Sequence, residues 1–507
     1  MDILQSLMQG FATSLTFSNI LAALVGAGLG IIVGAIPGLG SVTGIALLLP
    51  LTFQMDPITG IIMLGALYYG CMYGGSYSAI LLNIPGDAPA VVTSLDGYPL
   101  SQQGHGGKAL FTANISSFIG GTVGIIMLTF MGPILAHVGL MFGPAEVAAL
   151  ILLALCSIGW LLGDNPLKGL ISTFIGVMLA TIGIGTAFGQ PRFTFDSMYL
   201  LNGISFIPLV IGMFGFSQVL VMMVNRVDPS AKGLSGRLGL KESLLDRKEA
   251  LSILPVSLRS GVLGNLVGIL PGAGATTGSF LSYVLEKKVG RNGAELGKGR
   301  IQGVAASEAG NNAAAAGSFA PLLSLGIPGS GTAAVLLGGL MMWGLQPGPL
   351  LFQNNPDFVW GLISSMYLGN VMAVLAALAI IPFLVKLLLI PASIMIPVIA
   401  VVCVVGSYSV NNSMFDVWFM LGAGVVAFFM TAARYPIAPL LLAFVLTPRL
   451  ETSLRQALDI SRGDPMIFLR SPIAATLLTL ILLFVLYPLA KRLFMTVRRR
   501  GHKAAAE

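Results

Sequence analysis

The chain has 507 residues, of which 55% are hydrophobic and only 9% charged, with a formal net charge of +7. A soluble domain carries roughly a quarter of its residues as charged side chains, so this composition cannot cover a water-facing surface. With a mean hydropathy of +0.90, it excludes a soluble enzyme or binding module and predicts a chain that lives in a bilayer.

Apolar runs long enough to cross hydrocarbon as helix recur along the chain, at 19–37, 145–162, 167–188, 202–224, 357–384 and 472–489. Ten-residue segments of alternating polarity do not dominate, so helices are expected rather than a β-barrel. The fold class read from this pattern is an all-α polytopic membrane protein of roughly 10–14 spans and re-entrant segments. The N-terminus lacks the basic region of a cleaved signal peptide, and the first Lys or Arg is Lys108.

The first apolar run ends in a motif, GAIPGLGSVTG at 34–44, that returns as GILPGAGATTG at 268–278. Six of the eleven positions are identical, and Gly30 and Gly264 extend the match at the same offset of 234 residues. Each copy is followed by a second motif of small residues ending in I-P-G, around Pro85 and around Pro328. The chain therefore reads as two related halves, 1–225 and 251–507, joined by a polar and cytoplasmic linker at 226–250. Basic residues flank the second copy (Lys287, Lys288, Arg291, Lys298, Arg300) but not the first, while His105 and Lys108 follow the first I-P-G. That exchange of sides is the signature of inverted-topology repeats with Pro-Gly-broken helices or re-entrant hairpins. The segment 449–470, with Arg449, Arg455, Arg462 and Arg470, runs against a simple assignment of sides, because one final span separates it from the basic tail.

A Pro-Gly pair inside an apolar run interrupts a helix at membrane depth, and the freed backbone groups must face protein, ligand or water. The pairs Pro37-Gly38, Pro85-Gly86, Pro271-Gly272 and Pro328-Gly329 sit in matched positions of the two halves. A lone pair would be read as a packing kink; four in duplicated context point to a transport site at the repeat interface. Around them lie Gly40, Thr43, Asn83, Asp87, Gly274, Thr277, Ser330 and Thr332, and beyond them the polar run Ser307-Glu308-Ala309-Gly310-Asn311-Asn312. Hydroxyls and backbone N–H groups can hold an oxyanion, and hydroxyl, amide and carbonyl oxygens can hold a hard cation. The expected substrate site is thus Pro37, Gly38, Gly40, Thr43, Asn83, Pro85, Gly86, Pro271, Gly272, Gly274, Thr277, Asn311, Asn312, Pro328, Gly329, Ser330 and Thr332. Asp87 and Glu308 are the acids in or beside the motifs and are the candidates for ion coupling. Asp56, Glu146, Asp164, Asp357 and Asp416 fall at span ends and read as boundary residues.

Other chemistries find no support. There is no P-loop; His105, His137 and His502 are scattered; and Cys71, Cys156 and Cys403 sit in apolar runs at no metal spacing. The GGSYS stretch has no His or Lys partner in a comparable apolar motif, which disfavours an intramembrane enzyme. An anion channel lined by the same breaks is the other alternative.

The stretches GAIPGLGSVTGIALLLPLTF, YGGSYSAILLNIPGDAPAVVTSLDGYPLSQQG, GILPGAGATTGSFLSYVLEKKV and GVAASEAGNNAAAAGSFAPLLSLGIPGSGTAAVLLGGL resemble the large membrane subunit of tripartite tricarboxylate transporters, the TctA family. The resemblance implies a multi-pass secondary transporter of the bacterial inner membrane. It would import citrate, another di- or tricarboxylate or an aromatic acid by symport with sodium or protons. No cofactor is implied beyond that ion. The implied partners are a small four-helix membrane subunit and a periplasmic solute-binding protein. Some relatives carry an acid and an Arg in the stretch that here reads YGCMYGGS, with Met72 and Ser76; their absence points to a less charged acid.

Overall fold

The computed structural model describes residues 3–161, 165–185, 189–225, 243–383, 388 and 391–483. Residues 226–242 of the linker, Asp164 and the basic tail lie outside the described residues. Of the described residues, 81% are helical. Among the described residues nine helices are long and apolar enough to cross a membrane, and five shorter apolar helices accompany them. The single sheet among the described residues is a two-residue antiparallel pairing of Gly183–Ile184 with Pro191–Arg192.

Two compact units divide the chain, neither of them contiguous in sequence. The larger holds residues 1–139 and 204–437, and all four Pro-Gly breaks fall inside it. Its helices are α1 (Ile3–Ser14), α2 (Phe17–Ala35), α3 (Gly40–Thr52), α4 (Pro57–Leu82), α5 (Ala90–Leu100), α6 (Gly106–Leu140), α9 (Phe206–Val210), α10 (Ser217–Asn225), α11 (Arg247–Ile269), α12 (Gly274–Val289), α13 (Ile301–Gly317), α14 (Phe319–Leu325), α15 (Gly331–Met342), α16 (Pro356–Ile380), α17 (Ala392–Asn411) and α18 (Met414–Ala432). The smaller unit, residues 140–203 and 438–507, contains α7 (Pro144–Leu161), α8 (Pro166–Ala180), the short hairpin and most of α19 (Ile437–Ile460). There Gly176 of α8 lies against the backbone of Leu440. Glu451 pairs with both Arg192 and Arg455 at 2.9 Å, and Arg470 with Asp464 at 3.1 Å, so much of the positive charge in the 449–470 segment is met by acids of the same unit.

Local chemistry explains where the central helices begin and end. Asp56 accepts the Ile58 N–H and Pro57 fills the first turn, starting α4. Asp246 and Glu249 form a reciprocal capping box at the start of α11. Both α4 and α13 are buried on nearly every face, yet α13 is built almost entirely of Ala, Gly, Ser and Asn. Small residues let backbones approach closely, which is how helices associate when lipid removes the hydrophobic drive.

The two sequence copies are matched contact by contact. In the first, Gly30 and Gly34 of α2 press against the backbone of Leu67 and Cys71 of α4. In the second, Gly264 and Gly268 of α11 press against Gly310 and Ala314 of α13. The partners are displaced by 243 residues throughout. The same offset relates Asn83 to Gly326, both in the left-handed region at φ 58° and 68°, and both closing a helix just before I-P-G. It also relates the bonds Ile84 N–H to Ser78 O and Ile327 N–H to Pro321 O.

Candidate functional site

Each break has a definite geometry. After α2 the chain turns through Pro37 with Gly38 at φ 88° and Gly40 at φ 61°; after α11 it turns through Pro271 with Gly272 at φ 78° and Gly274 at φ 60°. These positive angles are why glycine recurs at both positions of both copies. The second and fourth breaks follow the left-handed caps, and their glycines are seated on the first and third. A methyl group at Gly86 would strike the Gly34 carbonyl, and one at Gly329 would come within 2.6 Å of the Gly268 carbonyl.

Hydrogen bonds then join all four breaks. Ser41 N–H of the first donates to Asp87 Oδ2 of the second at 2.9 Å, while Asp87 Oδ1 accepts the Ala88 N–H at 2.8 Å. Ser41 Oγ lies 2.9 Å from Thr332 Oγ1 beside the fourth. Ser279 Oγ, in the helix after the third, donates to Pro89 O at 3.1 Å. Ser330 caps α15 by accepting the Ala333 N–H at 3.1 Å, and its Oγ lies 3.4 Å from the buried Tyr68 hydroxyl.

A cavity of about 360 Å³ opens beside the first two breaks. Its wall includes Gly38, Gly40, Thr43, Pro85, Gly86 and Asp87, and among the described residues Asp87 is the only formally charged one in the lining. Thr43 Oγ1 is turned toward Phe214 O at 3.4 Å. Asn83, Pro271, Gly272, Gly274, Thr277, Asn311, Asn312, Pro328, Gly329, Ser330 and Thr332 do not line this cavity, and neither do Pro37 and Glu308. Asn83 is exposed and serves as the left-handed cap of α4; Thr277 is half-buried in the first turn of α12. The predicted residues therefore do not share one place: Gly38, Gly40, Thr43, Pro85, Gly86 and Asp87 line an open acidic cavity, while Ser330 and Thr332 sit in a closed junction with Tyr68 and Ser41.

The cavity also has lining that the sequence reading passed over: Met213, Phe214, Ser217, Gln218 and Thr431. Met213 and Phe214 belong to a π-helical turn at 211–216 between α9 and α10. Such widened turns cluster at functional sites because they re-aim side chains out of the regular helical repeat. The usable signal was Ser217-Gln218, a polar pair inside the apolar run 202–224. Gln218 faces Gly38 so closely that a Cβ there would meet its amide.

Glu308 lies in a third place, wholly buried in α13. Its Oε1 accepts from Thr93 Oγ1 of α5 and its Oε2 from Ser117 Oγ of α6 at 3.1 Å. Asn312 Nδ2 donates to the Glu308 backbone carbonyl at 3.1 Å; Asn311 Oδ1 and Asn312 Oδ1 are buried with no hydrogen-bond partner among the described residues.

The family model described as "Tripartite tricarboxylate transporter TctA family" matches residues 20–442. The chain belongs to that family. All four breaks, the Asp87 cavity and Glu308 lie inside the matched region. A protein of Agrobacterium vitis described as an uncharacterized 52.8 kDa protein in the TAR-I ttuC' 3' region is 41% identical over 481 residues, covering 94% of each chain. A second from the same organism, described as an uncharacterized protein in the TAR-II ttuC' 3' region, is 44% identical over 226 residues, covering 45% of this chain and 93% of that protein. No solved structure matches. As a TctA-family member the chain is a multi-pass membrane component of a tripartite transporter, a class that works with a small membrane subunit and a periplasmic binding protein.

Proposed function

We propose that this TctA-family chain is the translocating subunit of an ion-coupled importer of organic carboxylates in the bacterial inner membrane. A periplasmic solute-binding protein delivers the acid, and a small four-helix subunit accompanies the chain. The observation that carries the reading is the junction of the four breaks through Ser41, Asp87, Thr332 and Ser279 beside an open cavity. Interrupted helices that meet in the bilayer interior are how secondary transporters offer backbone dipoles to a desolvated substrate.

The two equivalent I-P-G breaks differ at one decisive position. Where the first has Asp87, the second has Ser330 at the 243-residue offset. The first half is thus suited to a cation and the second to a carboxylate, held by hydroxyls and by the N–H groups that open α15. A cation on the acidic side would make binding of the anion more favourable, and the reverse.

The experiment is counterflow in vesicles carrying the assembled transporter. A carrier exchanges labelled citrate, malate or benzoate against an unlabelled internal pool; a channel only dissipates the gradient. Uptake that is indifferent to the binding protein would remove the tripartite part of the reading. The matched copies support a duplication, and the exchange of basic residues between their flanks supports two halves of opposite orientation. Single cysteines replacing the exposed Leu51 and Lys288 are expected to react with an impermeant maleimide from opposite sides, and reaction from one side would rule the inversion out.

A further inference from the structure

We propose that Glu308 is a reversible proton-binding site, set apart from the Asp87 cavity, and that its protonation is a second coupling step of transport beside the cation on the acidic side. The coupling part rests on the carrier reading above; the protonation part stands on the geometry of the site.

Glu308 is 0% exposed, and every residue of α13 from Gly303 to Gly317 is buried with it. Among the described residues no Lys, Arg or His forms an ion pair with it. The titratable groups facing it are the phenols of Tyr73 and Tyr77 on α4. On α5, Asp96 is held by backbone N–H groups of residues 297–300. Arg259 of α11 and Glu286 of α12 are paired with each other, and Lys108 of α6 is paired with Glu249. A lone carboxylate taken this far from water without a countercharge is strongly disfavoured, and taking up a proton relieves it.

The polar neighbours of Glu308 are neutral. Asn311 is 1% exposed and Asn312 0%, and the side-chain oxygen of each lacks a donor among the described residues. Asn311 is next to the Glu308 carboxyl. The carboxyl is therefore met by neutral hydroxyl and amide groups and by no countercharge among the described residues. The packing is also close, with Gly120 against Ala309 and Gly310 against Ser282. Among monovalent cations the proton is the one that needs no cavity of its own.

The link to the substrate site is α5. Thr93, which donates to Glu308 and lies 3.0 Å from Ser307 Oγ, sits six residues after Asp87. Protonated Glu308 carries one donor and one carbonyl acceptor, so Thr93 Oγ1 or Ser117 Oγ must accept where both now donate, and a reoriented Thr93 is felt at the start of α5 beside the Asp87–Ser41 bond.

Labelling of the intact chain with dicyclohexylcarbodiimide, which attacks protonated carboxyl groups in apolar surroundings, tests protonation directly. Peptide mass spectrometry is expected to find the adduct on Glu308, falling about tenfold per pH unit on the alkaline side of its titration. No adduct at any pH, an adduct independent of pH, or one suppressed by sodium would overturn the proposal. In vesicles carrying the assembled transporter, Glu308→Gln is expected to abolish the stimulation of uptake by an imposed pH gradient, and retention of that stimulation would overturn the coupling role. Should the variant fail to fold, the labelling of the unaltered chain decides. If the unaltered transporter shows no counterflow at all, the carrier reading fails while the labelling still judges Glu308.

Discussion

Asp96 offers a sharp test of how the larger unit is held together. It is wholly buried near the end of α5 and reaches the loop that connects α12 to α13. Its Oδ1 accepts the N–H groups of Gly297 and Gly299 at 2.9 Å and of Arg300 at 2.8 Å, while its Oδ2 accepts the Tyr283 hydroxyl at 2.8 Å. Asp96→Ala would orphan three backbone donors, each worth about 1–3 kcal/mol if left unpaired. The loop can recover part of this by opening to water, so the expected cost is about 3–5 kcal/mol, the range seen when one partner of a buried charged network is removed. Asp96→Asn keeps one carbonyl oxygen for the three donors but loses their charge assistance, and should cost about half as much. Lys298 and Arg300 are exposed within the loop, so trypsin reads its opening directly. A 3 kcal/mol loss raises the open population by about two orders of magnitude, since each 1.4 kcal/mol is tenfold. Cleavage should rank Asp96→Ala well above Asp96→Asn, and both above the unaltered chain. An Asp96→Ala protein cleaved less than about fivefold faster would show that the carboxylate is not what pins the loop.

Gly86→Ala and Gly329→Ala should each destabilise the chain by about 1–3 kcal/mol, because the added methyl meets the backbone carbonyls of Gly34 and Gly268, which have nowhere to move. Thermal unfolding in detergent measures it, and a substitution without effect at either would break the claimed equivalence of the two copies. Ser41→Ala and Thr332→Val, singly and together, should show a coupling of about 0.5–1.5 kcal/mol in the same assay; strictly additive effects would mean that the first and fourth breaks do not share a hydrogen bond. Gln218→Leu should lower apparent substrate affinity with little change in stability, since its half-buried amide faces the cavity rather than the core. Unchanged transport kinetics would take Gln218 out of the cavity's working wall.

The sequence by itself determined the features that depend on local covalent chemistry. A Pro-Gly pair breaks a helix wherever it stands, because proline lacks the donor and glycine permits the turn, so all four breaks and their pairing were legible from the duplicated motifs. The membrane setting followed from charge poverty, which no soluble fold tolerates. What the sequence could not supply was partnership. Asn83 looked like a ligand beside I-P-G and is a left-handed helix cap; its repeat equivalent is Gly326, so backbone conformation, not chemistry, accounts for it. Asp96 is held by the loop before α13, some 200 positions further along the chain, a partnership with no mark in the sequence. Gln218 came to the cavity through a π-helical turn that an apolar run does not announce. Asp87 and Glu308 looked alike as acids near the motifs, yet one faces an open cavity and the other is sealed among hydroxyls. The division into compact units likewise cuts across the sequence halves, because both duplicated motifs pack into one unit while residues 140–203 join the C-terminal segment in the other. Burial and hydrogen bonding between residues far apart in the chain are set by how helices pack, and only the tertiary structure decides whether a carboxylate meets water, a backbone donor or a proton.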